Sequence, residues 1–286
     1  MGLTIKGKEK TMKKTFMMLL ALVGLAACSN DKDEIQPSGK LAPMSFGVSF
    51  ENNETRSVLN SDKTVSFQAG DEIKIFYEGA QDADTYSNHG KKFTTTAGGA
   101  TATFTGEAET GKPKYWALYP YQADAYKYEV GYDVIVLETK MYQTATAGSF
   151  DPTANVCIAE STDGKTFEMK NVCSLVKFCV PAGKIYKKAR IFSKGLFFCY
   201  KGSYKPCNGE LYYADTKGAN VYLTGTIEGG NDYYIAVAPV TAASGLEFYL
   251  YENESDDEAT GYAVKKTTSN SVTFNRSKIL NLGVIE

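Results

Sequence analysis

Residues 44–50 read Met-Ser-Phe-Gly-Val-Ser-Phe (MSFGVSF), and apolar side chains alternate there with small or polar ones. Alternation of this kind predicts a β-strand with one buried face, because successive side chains of a strand point to opposite sides. The apolar face consists of Met44, Phe46, Val48 and Phe50. Glu51 to Thr55 is polar and turn-like, and Arg56 follows it. We expect this strand to complete a β-layered body.

A secretory leader lies upstream of this strand. Lys13 and Lys14 precede an apolar run from Phe16 to Leu25, which is too short to cross a bilayer as a helix. Met12 begins a conventional signal of this kind, so residues 1–11 indicate an upstream, misassigned start.

The end of the leader, Leu25-Ala26-Ala27-Cys28, resembles the lipobox of bacterial lipoproteins. The resemblance implies cleavage before Cys28, a thioether-linked lipid on its thiol, and several acyl chains that anchor the protein to the outer membrane. The alternative is an ordinary signal peptide that happens to contain a cysteine. Ser29 to Glu34 (SNDKDE) predicts a flexible tether, and it also resembles the surface-export signal of Bacteroidetes lipoproteins.

Short strand-like segments fill the rest of the chain. The sequence contains 20 Tyr, 15 Phe and 26 Gly, which favours strands joined by turns. Ala97-Gly-Gly-Ala100 separates two threonine-rich runs and predicts a hairpin, whereas no stretch after the leader shows helical periodicity over three turns. Many short strands predict an all-β fold of sandwiches.

Chain length favours two such sandwiches over one, since domains rarely exceed about 200 residues. The best boundary is the turn at Ser161 to Gly164. The predicted organisation is a signal peptide at 1–27, a lipidated tether at 28–43, and β-sandwiches at 44–162 and 163–286.

Charge and cysteine content exclude several classes of function. The formal net charge is −2, so no basic surface indicates nucleic acid as a partner. Without Cys28, an odd number of cysteines remains: Cys157, Cys173, Cys179, Cys199 and Cys207. Cys173 and Cys179 fit a strand pattern as small buried residues, while Cys199 and Cys207 could close a hairpin, and the pairing stays open.

Catalytic and metal sites find little support. His89 is the only histidine, so no spare base exists for a Ser/His or Cys/His pair, and no CxxC, P-loop or GxSxG motif occurs. We expect no enzyme activity and no cofactor. Glu252 to Glu258 (ENESDDE) predicts a charged hairpin loop, with calcium binding as the alternative, and Asp82 and Asp84 share that ambiguity more weakly.

Aromatic residues around Trp116 have two interpretations. They could pack in a sandwich core, which is the usual role of aromatic residues in a strand, or stack on sugar rings. The cluster contains Tyr115, Trp116, Tyr119, Tyr121, Tyr126 and Tyr128. Trp116 is the candidate for glycan stacking.

Several segments, in order, resemble the fimbrillin-like family of Bacteroidetes, which includes lipoprotein pilus subunits and fimbrial adhesins of the Mfa type. After the lipobox they are Glu54-Thr55-Arg56, FQAGDEIKI (67–75), YWALYPY (115–121), NVCSLVKFCV (171–180), YYIAVAP (233–239) and FNRSKILNLG (274–283). No single motif is specific, but their order and spacing extend over almost the whole chain.

The resemblance implies two tandem transthyretin-like, Greek-key β-sandwiches and a role as a pilus subunit or adhesin. It also implies that a trypsin-like protease cuts between Arg56 and Ser57, removes the strand with Met44, Phe46, Val48 and Phe50, and leaves a groove for a strand of a neighbouring subunit. The partners would be other pilus subunits and a host or bacterial surface ligand. The alternative is an uncut, surface glycan-binding lipoprotein of a polysaccharide uptake system.

Overall fold

The computed structural model describes residues 39–51, 66–80, 83, 86–128, 130–161, 163–193 and 198–286. Within these ranges every regular element is a strand, so the all-β prediction is confirmed. Ser38–Glu286 forms one compact unit. In the same ranges no helix is long and apolar enough to cross a membrane.

The strands have the following bounds. The first eleven are β1 (Leu41–Phe50), β2 (Glu72–Tyr77), β3 (Ser87–Asn88), β4 (Lys91–Thr94), β5 (Thr101–Glu109), β6 (Tyr115–Tyr119), β7 (Tyr126–Tyr128), β8 (Ile135–Glu138), β9 (Tyr142–Thr144), β10 (Cys157–Ser161) and β11 (Thr166–Asn171). The others are β12 (Ser174–Cys179), β13 (Ile185–Phe192), β14 (Phe198–Tyr204), β15 (Leu211–Gly218), β16 (Asn220–Glu228), β17 (Asp232–Val237), β18 (Thr241–Ala242), β19 (Leu246–Tyr251), β20 (Val264–Thr268), β21 (Val272–Thr273) and β22 (Ile279–Val284).

The amino-terminal half is built on a closed sheet in the order β1-β11-β10-β6-β2-β4-β5. β1 begins at Leu41, three residues before the predicted strand, because Leu41 to Pro43 pair with Glu107 to Glu109 of β5. Phe67 and Gly99 form an isolated bridge beside this sheet, so the predicted glycine turn at 97–100 also holds the segment before β2.

Three further sheets and one strand pair complete the fold. Their orders are β15-β14-β8-β7-β3, β17-β12-β22, β20-β19-β13-β16-β9 and β18-β21. β9 joins the sheet of the carboxy-terminal half by pairing in parallel with β16. β8 and β14 likewise connect the two halves through antiparallel pairing.

Three apolar cores lie between these layers. The first fills the closed sheet with side chains such as Phe46, Phe104 and Phe167, and the second fills the carboxy-terminal half. The third lies between them and contains Trp116, Leu118, Ile135, Leu175 and Tyr234. Successive residues of β6 and of β12 therefore pack into different cores. Because both faces of each strand are buried, both sequences are nearly continuous apolar runs.

The predicted domain boundary at residue 162 falls before β11. That strand pairs with β1 and β10 of the closed sheet, so its backbone hydrogen bonds belong to the amino-terminal half. Strand pairing therefore carries the amino-terminal half to Asn171, and β12 begins the pairing of the carboxy-terminal half.

Candidate functional site

The site is built around β1, which is hydrogen-bonded along both of its edges. It runs antiparallel to β5, with Phe46 opposite Phe104, and parallel to β11, with Val48 opposite Phe167. The Gly47 amide also donates to the Lys165 carbonyl at 2.9 Å. Removal of β1 would therefore leave unpaired backbone groups on both β5 and β11.

The inner face of β1 fills the core of the closed sheet. Phe46 is 0% exposed and Val48 1%, while Met44 and Phe50 are partly buried against the same core. The Phe46 ring lies 5.0–5.5 Å, between centroids, from the rings of Phe93, Tyr115 and Phe167. The Phe50 ring stacks on Phe67 at 4.2 Å. The two central side chains of the strand are thus enclosed and the two outer ones are peripheral.

A polar clamp holds the carboxyl end of β1. The Glu51 carboxylate accepts from the Arg276 guanidinium at 2.6 Å and from the Ser277 hydroxyl at 2.9 Å. The Asn171 amide also donates to it at 3.3 Å, and Arg276 donates to the Asn171 carbonyl at 2.9 Å. The Glu51 side chain is only 11% exposed. Charge-assisted hydrogen bonds in such a setting are stronger than those of an exposed ion pair.

The clamp lies where the two halves meet. Asn171 ends β11, Cys173 precedes β12, and Ser277 precedes β22. The Ser277 amide donates to the Cys173 carbonyl at 2.9 Å, and Ser277 itself adopts a φ of 60°, a left-handed conformation that costs most non-glycine residues energy. Gly209 lies against Arg276, and its own φ of 74° suits glycine. Several backbone constraints therefore fix the position of the guanidinium.

Sequence reasoning missed this clamp. Glu51 and Arg276 are 225 residues apart, and neither belongs to a motif that predicts the other. The sequence around Glu51 predicts only a polar turn. The one local signal is that an acidic residue directly follows an apolar strand. Acidic residues are common at turns, so this position does not indicate a distant partner.

Trp116 lies in the core between the halves and is 3% exposed. Its Nε1 donates to the Glu160 carboxylate at 3.3 Å, and the Lys127 ammonium lies 3.9 Å from the ring centroid over one face. A sugar ring would have to displace that lysine to stack there. The packing interpretation of Trp116 is therefore favoured by its burial.

The described cysteines divide into buried and exposed thiols. Cys157 and Cys173 are buried near the clamp, and Cys179 is partly buried in β12. Burial raises the pKa of the Cys157 thiol well above its ordinary value, and the nearby Cys173 and Glu51 raise it further. Cys207 is exposed and carries a free thiol. The side chain of Cys199 lies outside what the structure describes.

Loop 252–258 is held by protein groups. The Lys188 ammonium donates to the carbonyls of Glu254 and Asp256 at 2.9 and 2.8 Å. The Asp257 carboxylate accepts from the hydroxyl and amide of Thr260 and from the Ala259 amide, and these bonds lower its pKa. A lysine thus satisfies carbonyl oxygens that a calcium ion would use, which favours the charged-loop interpretation.

Other candidate residues are less informative. His89 is exposed, with its ring 6.2 Å from that of Tyr126. Across the described ranges, no three His, Cys, Asp or Glu side chains are grouped so that they could hold a metal ion. Cys28, Arg56, Ser57, Asp82 and Asp84 lie outside the described residues.

Comparison with solved structures gives matches of low sequence identity. The chain is similar to a candidate cell adhesion protein from Bacteroides ovatus, with a TM-score of 0.46, 17% identity, and coverage of 85% of this chain and 92% of that one. It is also similar to a candidate cell adhesion protein from Bacteroides uniformis, with a TM-score of 0.43, 12% identity, and coverage of 82% and 98%.

A third similar structure is the tip fimbrial protein Mfa3 from Porphyromonas gingivalis with a carboxy-terminal truncation. Its TM-score is 0.38 at 8% identity, with coverage of 82% of this chain and 81% of that one. No family model and no curated protein matches the sequence. At such identities, the role of the chain has to be argued from its own residues.

Proposed function

We propose that the protein is a cell-surface fimbrial subunit or adhesin that assembles by exchange of β1 after cleavage at Arg56. In this proposal the mature chain begins at Cys28, whose lipid anchors it in the outer membrane until it joins a fimbrium. The proposal includes two tandem transthyretin-like sandwiches: the first, predicted at 44–162, would extend to Asn171 because β11 pairs with β1 and β10, and the second would begin with β12. No catalytic step and no cofactor is required.

The observation that carries the proposal is the double role of β1. It supplies core side chains and also satisfies the backbone edges of β5 and β11. Full burial of Phe46 and Val48 contributes about 3–6 kcal/mol, a large part of the stability of a typical domain. Loss of the strand would open an apolar groove with two unpaired edges, which an extended strand of another subunit would fill.

The position of Arg56 supports the exchange. It lies five residues after Glu51, the last residue of the clamp on this strand. Cleavage there would separate β1, together with Glu51, from the rest of the chain. Arg276 and Ser277 would then lose their carboxylate partner at the same moment as the groove opens.

Limited proteolysis tests the proposal. The lipid-free mature chain should give, with an arginine-specific protease, a large fragment that begins at Ser57 and forms oligomers over time. Amino-terminal sequencing, size-exclusion chromatography and electron microscopy would follow the reaction. The Arg56→Ala variant is the matched control and should stay monomeric. A chain that is cut at Arg56 yet stays monomeric would contradict strand exchange.

The same experiment separates the alternative function. A chain that stays whole and monomeric under protease treatment, and that binds a soluble oligosaccharide saturably, would favour a surface glycan-binding lipoprotein.

A further inference from the structure

A row of aromatic rings crosses one surface of the sheet β15-β14-β8-β7-β3. The tyrosine row consists of Tyr126, Tyr128, Tyr132 and Tyr212, with His89 at its end. Consecutive ring centroids are 5.5 Å apart for Tyr126 and Tyr128, 6.0 Å for Tyr128 and Tyr132, and 5.8 Å for Tyr132 and Tyr212. The His89 ring extends the row at 6.2 Å from Tyr126. β7, the loop before β8, and β15 thus bring distant residues into one continuous strip.

Exposed apolar side chains are concentrated in this region. Ten large apolar side chains are exposed among the described residues, and five of them lie on this sheet or beside its strands. These five are Tyr86, Val130, Tyr132, Tyr212 and Tyr213. Of these five, Tyr132 and Tyr212 belong to the row itself. Scattered exposed apolar residues need no explanation, but exposed apolar residues that contact one another usually mark a binding site.

A polar pocket of about 310 Å³ adjoins the row at Tyr132. Its charged lining consists of Glu78, Lys114, Lys127 and Asp133, with Trp116 at its wall. Lys127 is buried and pairs with Asp133 at 3.3 Å, while Lys114 pairs with Glu160 at 3.1 Å. Two ammonium groups and two carboxylates therefore line the pocket, and each ammonium is already paired with a carboxylate. Hydrogen-bond donors and acceptors thus lie side by side.

We propose that the tyrosine row and this pocket together bind a neutral oligosaccharide chain. The C–H face of a sugar ring packs on an aromatic face, and a hydroxyl group both donates and accepts hydrogen bonds. Consecutive rings of the row meet edge to face or tilted, and Tyr132 and Tyr212 are the two that expose about half of their surface. They offer aromatic surface, and the pocket offers ammonium and carboxylate groups at its edge. An anionic polymer would gain nothing from a pocket whose lysines are already paired with carboxylates.

The kind of apolar residue argues against a lipid surface as the partner. Four of the five clustered exposed side chains are tyrosines and only one, Val130, is aliphatic. A lipid surface favours Trp, Phe and Leu, whereas tyrosine is also common in protein interfaces, so binding to a protein is one of the outcomes that the test has to separate. Tyrosine combines an apolar ring with a polar hydroxyl, which fits a ligand that has both C–H faces and hydroxyl groups.

The proposed ligand site deepens the adhesin part of the proposed function, but it does not depend on strand exchange. The sheet that carries the row packs against the middle core through Ile135, Leu137 and Tyr204, and β1 is not one of its strands. The uncut monomer should therefore bind the oligosaccharide. An experiment can thus disprove oligosaccharide binding without disproving strand exchange, and the reverse.

Glycan-array screening of the uncut, lipid-free mature chain provides the test. The array would carry neutral hexose and N-acetylhexosamine oligosaccharides beside sialylated, sulfated and uronic-acid chains, and calorimetry would measure the best hit in solution. Binding should be confined to neutral chains. Tyr132→Ala and Tyr212→Ala should each weaken it about tenfold, as expected for loss of an aromatic stacking partner, while Tyr132→Phe should retain most of it.

Tyr142→Ala is the matched control. Tyr142 is 59% exposed, close to the 55% of Tyr132, but it lies on β9 with its ring stacked on Tyr222. This control should bind like the unaltered chain, and thermal unfolding should verify that every variant folds. The proposal is overturned by the absence of a neutral hit, by binding only to anionic chains or to a protein, or by affinities that Tyr132→Ala and Tyr212→Ala leave unchanged.

Discussion

The first and last strands of the fold, β1 and β22, have similar positions but are held very differently. Each runs parallel to one of two consecutive strands, β1 along β11 and β22 along β12. β1 also pairs with β5, whereas β22 lies at the edge of its sheet and pairs with β12 alone among the strands that the structure describes.

Their side chains show the same contrast. Phe46 and Val48 of β1 are enclosed, but every residue of β22 is at least partly accessible, and Val284 is exposed. β22 also contains a register shift near Gly283, whose φ is 70°. An edge strand with an irregular register contributes less to the core and leaves backbone groups available to another chain.

The clamp therefore joins β1, which is held along both edges, to β22, which is held along one edge. Glu51 follows β1 directly, and Arg276 and Ser277 precede the first residue of β22 by three and two positions. Loss of β1 would remove the carboxylate that helps to fix the start of β22. The amino-terminal strand thus stabilises the carboxy-terminal edge at a distance in sequence.

Truncation of Phe46 should give the largest effect. Phe46→Ala removes a ring that contacts three other aromatic rings, so we expect a loss of about 3–5 kcal/mol in the free energy of unfolding. Leu282→Ala in β22 is the matched comparison and should cost less than half as much, because Leu282 is only partly buried. Chemical denaturation measures both. Equal losses of unfolding free energy in the two variants would contradict the conclusion that β1 is held more strongly than β22.

The clamp should have an intermediate effect. A double-mutant cycle of Glu51→Ala and Arg276→Ala should give a coupling energy of about 1–3 kcal/mol, since the pair is partly buried and shares further hydrogen bonds. The exposed pair Glu72 and Lys92, 3.0 Å apart, serves as the control and should couple by less than about 1 kcal/mol. If the two cycles give equal coupling energies, the clamp does not stabilise the contact between β1 and the carboxy-terminal half.

The free edge of β22 should tolerate change best. Val284→Lys places a charge on an exposed position of an edge strand, so the free energy of unfolding should change by no more than about 0.5 kcal/mol. The added charge should also reduce self-association through this edge, measured by light scattering at high protein concentration. A loss above about 1.5 kcal/mol would mean that β22 is enclosed much as β1 is.

Local patterns were enough to predict the class of fold. Alternation in residues 44–50, the glycine pair at 98–99, and the aromatic run at 115–121 all correspond to elements of the structure. These signals succeed because side-chain direction and turn chemistry depend on neighbours in the sequence. β1 starts before the predicted strand because Leu41 and Pro43 have no alternating pattern, and pairing with β5 decides their conformation.

The aromatic residues show where local patterns stop being informative. Trp116 and Tyr132 are both plausible sugar-stacking residues by type, yet Trp116 is buried under Lys127 and Tyr132 is exposed beside Tyr128 and Tyr212. Exposure depends on which layers cover a strand, and that depends on contacts between segments far apart in the chain.

The sequence by itself determined that this protein is built of strands and that residues 44–50 present an apolar face, because both follow from interactions between near neighbours. Only the tertiary structure decided that this strand is paired on both edges, that Glu51 meets Arg276, and that a row of tyrosines forms one surface. Those arrangements depend on contacts between residues up to 226 positions apart, and no local pattern specifies such contacts.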